Sequence, residues 1–280
     1  MGRIPSLTRR EALAVAGIGA FALVCGEGLA ATEAVNHPVR PADAAEAGAG
    51  PTLASTHPTA PDAPAAPSAA DGTSADSQPP ASLSYDDLPW YLRLISKSHP
   101  LPEDFPAPTL RELPSGYAVD ERIYDDLVAL MEAAAGEGVE PVVCSAYRTH
   151  DKQQDLYQAR VRRSKSEGKR GQKAKDDAAF WVAPPYASEH EAGLAVDLVD
   201  GTYQELDEAQ ETTDTQRWLI DHCADHGFIL RYPTDKSAVT GIGYEPWHYR
   251  YVGKEAASAI TASGLCLEEW LDQYLSQGNK

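Results

Sequence analysis

The chain has 280 residues, 42% of them hydrophobic, and its 24 basic and 42 acidic side chains leave a net charge of −18. That balance excludes nucleic acid as the main partner, because phosphate binding needs basic patches, and it excludes charge-driven attachment to an anionic membrane surface. Four cysteines are too few for a disulfide-dense scaffold.

Taken in chain order, the N-terminus reads as an export signal. Arg3, Arg9 and Arg10 precede a weakly apolar run from Ala12 to Cys25, and Gly28-Leu29-Ala30 offers a small-x-small cleavage site. The stretch T-R-R-E-A-L, Thr8 to Leu13, resembles the twin-arginine export motif. Residues 1–31 are expected to be an export signal or, if uncleaved, a membrane anchor. The protein is accordingly expected at the extracytoplasmic face of the cell envelope, secreted or anchored. From Ala31 to Ser82 there are 16 Ala and 9 Pro in 52 residues, and no aromatic residue lies between Phe21 and Tyr85. Such a stretch cannot bury enough apolar surface to offset its ordering entropy, so residues 32–82 are expected to be a disordered linker.

All five Trp and all thirteen Tyr lie in residues 83–280, which form the expected globular domain. Ile123, Leu127, Leu130 and Met131 have helical spacing, with Asp120 as N-cap and Gly136 as stop. Pro141 to Ala146 is a short β-rich run, and His150 to Arg163 is again helical. Val161 to Ala178 is expected as the rest of a helix and a solvated loop carrying seven bases from Arg162 to Lys175. Leu194 to Val199 reads as an apolar strand interrupted by Asp197. A helix over Thr215 to His226 ends at Gly227, and Phe228–Tyr232 and His248–Val252 read as strands. Helices over Glu255–Ser263 and Leu267–Tyr274 close the chain. The pattern predicts an α+β fold: a small antiparallel sheet flanked by helices, with a disordered N-terminal extension.

Three clusters carry chemistry. In S-E-H-E-A-G-L-A-V-D, Ser188 to Asp197, a carboxylate sits inside an apolar strand, where burial is costly unless it is paired or bound to a metal. An imidazole and a carboxylate are a normal partial ligand set for zinc. Leu194 stands where a helical H-E-x-x-H motif needs its second His, which excludes that protease class here. On these residues alone a buried His190–Asp197 ion pair is an equal reading. The second cluster is G-Y-E-P-W-H-Y-R-Y-V-G, Gly243 to Gly253, where Glu245 and His248 flank Pro246 and Trp247. The third is S-A-Y-R-T-H-D-K-Q-Q, Ser145 to Gln154, where Arg148 offers a fork of donors suited to a carboxylate or a developing oxyanion.

Taken together, these motifs resemble the VanY-type D-alanyl-D-alanine carboxypeptidases, within the zinc peptidases that include the D-Ala-D-Ala dipeptidases. The resemblance runs from about Leu88 to Leu275 and also takes in V-A-P-P-Y-A-S, Val182 to Ser188, and G-F-I-L-R-Y-P, Gly227 to Pro233. It implies one Zn²⁺ held by His190, Asp197 and His248. It implies Glu245 as general base and Arg148 on the scissile carbonyl oxygen, with Gln153 and Ser188 contacting substrate and Tyr232 and Trp247 shaping the pocket. The implied substrate is the peptidoglycan stem peptide, from which the enzyme removes the terminal D-Ala. The same positions also suit an L,D-carboxypeptidase, an L-Ala-D-Glu-type endopeptidase or a non-catalytic peptidoglycan-binding module. Tyr186-Ala187 stands where the family often has a Gly-containing pair, so the loop into the site is expected to be shaped differently. An exported domain can keep a disulfide, and Cys223–Cys266 is the expected pair.

Overall fold

The structure, a computed structural model, describes residues 84–278. The export signal expected over 1–31 and the linker expected over 32–82, with Cys25, lie outside the described residues. A two-stranded antiparallel ribbon, β1 (Leu110–Glu112) and β2 (Ala118–Asp120), leads into helix α1, Glu121–Gly136. The Asp120 carboxylate accepts from the Arg122 amide at 2.9 Å and caps this helix. Ile123, Leu127, Leu130 and Ala134 recur at helical spacing and are buried, so the helix presents one apolar stripe to the core.

The central sheet has the order β3-β4-β6-β5, antiparallel throughout: Pro141–Ser145, Ala195–Asp200, His248–Tyr251 and Phe228–Leu230. Side chains alternate across it. Val196, Leu198, Tyr249, Tyr251 and Phe228 face the main core with α1. The opposite face carries Asp197, His248 and Arg250. Asp197 is therefore a charged residue on one face of a strand whose other face is core. In the register, Asp197 lies directly opposite both Ser145 and His248, so sheet pairing alone brings two of the three expected ligands together.

Two helices, α2 (His150–Ser166) and α3 (Gly171–Trp181), form a hairpin beside the sheet. Thr149 caps α2 by accepting from the Lys152 amide at 3.2 Å. Helix α4, Asp214–His222, adds Leu219 to the main core. After a single turn, α5 (Ser237–Thr240), helices α6 (Lys254–Ser263) and α7 (Leu267–Gly278) close the chain. Ala257, Ile260, Leu267 and Leu271 from these two pack with Ile229, Leu92 and Leu94 into a second apolar cluster.

The structure corrects four expectations. Helix α3 stands where a basic loop was expected, because Ala174, Ala178 and Ala179 bury a narrow stripe that small side chains make hard to see. The bases there serve the hairpin: Lys169 pairs with Asp177 at 2.6 Å, Arg163 with Glu167 at 2.9 Å, and Arg170 donates to the Lys165 and Lys169 carbonyls. The helix expected over Thr215–His226 ends at His222 and continues as a tighter 3-10 turn, Cys223–His226. The β1–β2 ribbon was not expected. The disulfide Cys223–Cys266 is absent: both are buried free thiols. Cys223 packs under the sheet in the main core, whereas Cys266 precedes α7 with its amide on Glu269 Oε2 at 3.0 Å. Burial pushes the Cys223 thiol up to about 12 and the Cys266 thiol up to about 11, so both stay protonated and unreactive.

Candidate active site

Beside the sheet face that carries Asp197 lies a cleft of about 340 Å³. His190 reaches it from a 3-10 turn, Glu189–Ala192, that ends at Gly193. Gly193 has φ +67, and a Cβ there would lie 2.8 Å from the Asp120 amide nitrogen, so only glycine lets the chain turn sharply from His190 into β4. The Arg148 amide donates to the His190 carbonyl at 3.1 Å, which ties this turn to the end of β3.

The two histidines and the aspartate each offer a ligand atom, and these atoms lie within 4.8 Å of one another. Each imidazole has its outer nitrogen engaged. His190 Nδ1 donates to the Ala146 carbonyl at 2.7 Å, and His248 Nε2 donates to Glu189 Oε2 at 3.2 Å. The inner nitrogens, His190 Nε2 and His248 Nδ1, face Asp197 Oδ1 at 3.4 and 3.1 Å. The outer bonds hold each ring with its other nitrogen turned inward, the orientation a metal ligand needs. The donor set of two imidazole nitrogens and a carboxylate oxygen fits Zn²⁺.

The three groups differ in their electrostatics. Burial would raise Asp197, but His190, His248 and Arg148 outweigh it and hold the carboxyl well below the usual range. Burial, with Arg148 nearby, pushes His190 down to about 4, so it is a neutral imidazole at pH 7. Burial opposes protonation of His248, yet Asp197 and Glu189 raise it to about 9.

Glu245 sits beside the ligands, its Oε2 3.7 Å from His248 Nδ1. The Glu245-Pro246-Trp247-His248 turn holds it: the Glu245 amide donates to the Tyr232 carbonyl, and the His248 amide donates to the Glu245 carbonyl, both at 3.2 Å. Burial, opposed by His248 and reinforced by Asp197, raises the Glu245 carboxyl to about 8. A carboxyl held beside the ligands suits a group that both takes and returns a proton.

Arg148 lines the same cleft. Its Nε donates to Ser145 Oγ at 2.9 Å and its Nη2 to Asp197 Oδ2 at 2.7 Å. Gln153 is buried on α2; its Nε2 donates to the Ala183 carbonyl at 2.7 Å, which fixes Oε1 as an acceptor, and that atom has no hydrogen-bond partner among the described residues. Ser188, Tyr232 and Trp247 also line the cleft, and the Tyr232 ring lies 4.9 Å from the His248 ring. Every residue expected at the site therefore comes together except the cysteine pair.

The loop into the cleft is strained at Tyr186. Tyr186 has φ +66, a left-handed backbone that costs a non-glycine residue energy. Its amide donates to Glu191 Oε2 at 2.9 Å, and its ring stacks on His150 at 4.0 Å. Sequence reading missed Glu189, Glu191 and His150. The only available signal was the pair of glutamates flanking His190, which reads equally well as surface charge.

Fold and site together define a metallopeptidase built on a His-Asp-His ligand set with an adjacent glutamate. Residues 116–254 match the D-alanyl-D-alanine carboxypeptidase family, VanY. A D-alanyl-D-alanine carboxypeptidase of Enterococcus faecalis is 43% identical over 188 residues, covering 67% of this chain and 68% of that protein. The solved structure of VanYB in complex with D-alanine-D-alanine is 42% identical, with a TM-score of 0.60 over 66% of this chain and 98% of that one. The vancomycin-resistance D,D-pentapeptidase VanY from the VanB-type cassette, solved with Zn(II), is also 42% identical, with a TM-score of 0.59 over 65% of this chain and 99% of that one. The chain belongs to the VanY family of D-alanyl-D-alanine carboxypeptidases.

Proposed function

We propose that this protein is a zinc-dependent D-alanyl-D-alanine carboxypeptidase that removes the terminal D-Ala from peptidoglycan stem peptides. The observation that carries the reading is the convergence of His190 Nε2, Asp197 Oδ1 and His248 Nδ1 beside the buried carboxyl of Glu245. These three residues would hold one zinc ion, which when bound would supply a Lewis acid that polarises a carbonyl oxygen and acidifies water.

Glu245 accepts a proton from the attacking water and then returns it to the leaving amine of D-Ala. Arg148 directs its guanidinium at the oxygen of the scissile carbonyl, where negative charge develops. Gln153 Oε1, fixed as an acceptor, takes an N–H of the peptide, and Ser188 adds a hydroxyl on the same side. Tyr232 and Trp247 wall the pocket around the reacting bond. The paired arginines and the apolar run at the N-terminus support a location outside the cytoplasmic membrane, secreted or anchored.

The test is mass spectrometry of stem peptides incubated with the zinc-loaded chain, with a chelator control. The expected result is chelator-sensitive loss of one alanine from the pentapeptide, with the tetrapeptide left intact. Cleavage of the tetrapeptide alone would contradict this reading in favour of an L,D-carboxypeptidase. No cleavage of either by zinc-loaded protein would remove the carboxypeptidase assignment.

A further inference from the structure

Glu189 takes no part in the proposed mechanism, yet it is among the most elaborately held side chains of the protein. Its carboxylate is fully buried. Oε1 accepts from Arg231 Nε and from Arg250 Nη1, both at 2.7 Å, and Oε2 is left to His248 Nε2. Both guanidiniums are also fully buried. Arg231 spends its other two nitrogens on a fork to Glu268 of α7, at 2.8 and 2.6 Å. Arg250 Nη2 donates to the carbonyls of Tyr91 and Arg93, at 3.0 and 2.8 Å.

Buried ion networks are a poor way to gain stability, since well-packed apolar residues of similar volume do as well or better. The second apolar cluster, with Ile229, Leu267 and Leu271, is close in the fold and shows that this sequence can build such packing. The network also has a direction. It starts at α7 and the segment around residues 91–93, converges on Oε1, and leaves only Oε2 facing the ring of a metal ligand.

We propose that Glu189 is the positioning residue of His248, and that Arg231 and Arg250 act through it by holding its carboxylate still. Glu189 keeps the His248 proton on Nε2 and turns Nδ1 inward. The two histidine ligands are thus supported differently. His190 leans on a backbone carbonyl, which no side-chain substitution can remove. His248 leans on a side-chain relay that ends in the C-terminal helix. Zinc retention should then depend on residues that touch neither metal nor substrate. This inference rests on the ligand set proposed above.

The test uses the full-length chain and reads zinc affinity by chelator competition. Glu189→Gln should keep its near-UV circular dichroism and bind zinc about 10- to 100-fold more weakly, the usual cost of losing an outer partner of a ligand. Glu268→Gln, which loosens Arg231 from the far side, should weaken zinc in the same direction by less. Nitrogen-15 imidazole spectra of zinc-loaded wild-type protein should show a protected Nε2–H on His248 and a protected Nδ1–H on His190, which decides the point even if Glu189→Gln fails to fold. Unchanged zinc affinity in folded Glu189→Gln, or His248 bound to zinc through Nε2, would overturn the inference while leaving the ligand set standing. A wild-type chain that holds no zinc would overturn the ligand set and the inference with it.

Discussion

The regions on the two sides of the cleft are unlike. On the sheet side, His190, Asp197, His248, Glu189, Arg231 and Arg250 are all buried, and each charged group meets an opposite charge or a polar atom at close range. On the hairpin side, α2 and α3 carry comparable charge in contact with water, as pairs such as Arg163–Glu167 and Lys169–Asp177. A buried charge that loses its partner costs several kcal/mol, on the order of 3–5. Exposed pairs typically contribute about 1 kcal/mol or less. The contrast separates charge that does chemistry from charge that keeps a helical hairpin in register, and it ranks the substitutions that should matter.

The largest effect belongs to His248→Ala, which removes a ligand and leaves Asp197 and Glu189 facing a void. Zinc content by elemental analysis should fall to background, and carboxypeptidase activity with it. Next comes Glu245→Gln, expected to keep zinc while kcat drops about 100- to 10,000-fold, the usual contribution of a positioned base. Wild-type turnover with full zinc would take Glu245 out of the mechanism. Arg148→Lys keeps the charge but loses the planar fork that reaches Ser145 and Asp197 together. The kcat should fall about 100-fold if the guanidinium serves the oxyanion; a change in KM alone would assign it to substrate binding.

The smallest effect is expected on the hairpin side. Burial would raise Asp177, but the bonds from Lys169 and Ser164 outweigh it and lower its carboxyl from the ordinary 3.8. A carboxyl lowered in the folded state contributes stability above its unfolded value and loses it as pH falls through the folded value. Asp177→Asn should therefore lower Tm only by about 2 °C at neutral pH and narrow the difference from wild type below pH 4. A collapse of zinc binding in this variant would erase the distinction between the two sides.

Much of this was legible in the sequence, for identifiable reasons. Helix α1 announced itself through Ile123, Leu127 and Leu130, and its Asp120 cap lies where the periodicity begins. Asp197 stood out because a carboxylate inside an apolar strand requires a partner, and the register supplies His248 opposite it. What stayed hidden has separate causes. Arg231, Arg250 and Glu189 are residue types normally found on surfaces, and only tertiary structure shows them enclosed and paired. Helix α3 was obscured because alanines, rather than large side chains, form its buried stripe. The β1–β2 ribbon has three-residue strands, the first of them exposed throughout, which leave no period to read. The cysteine pairing could not be judged from spacing, since it depends on where each thiol packs in the tertiary structure.

The most direct measurement is an anomalous difference map at the zinc edge from crystals of the zinc-loaded protein. One peak is expected, at bonding distance, about 2.0–2.2 Å, from His190 Nε2, an Asp197 carboxylate oxygen and His248 Nδ1, with Glu245 beside it. A peak held by other residues, or none at these three in protein that carries zinc, would contradict the ligand set on which the proposed chemistry stands.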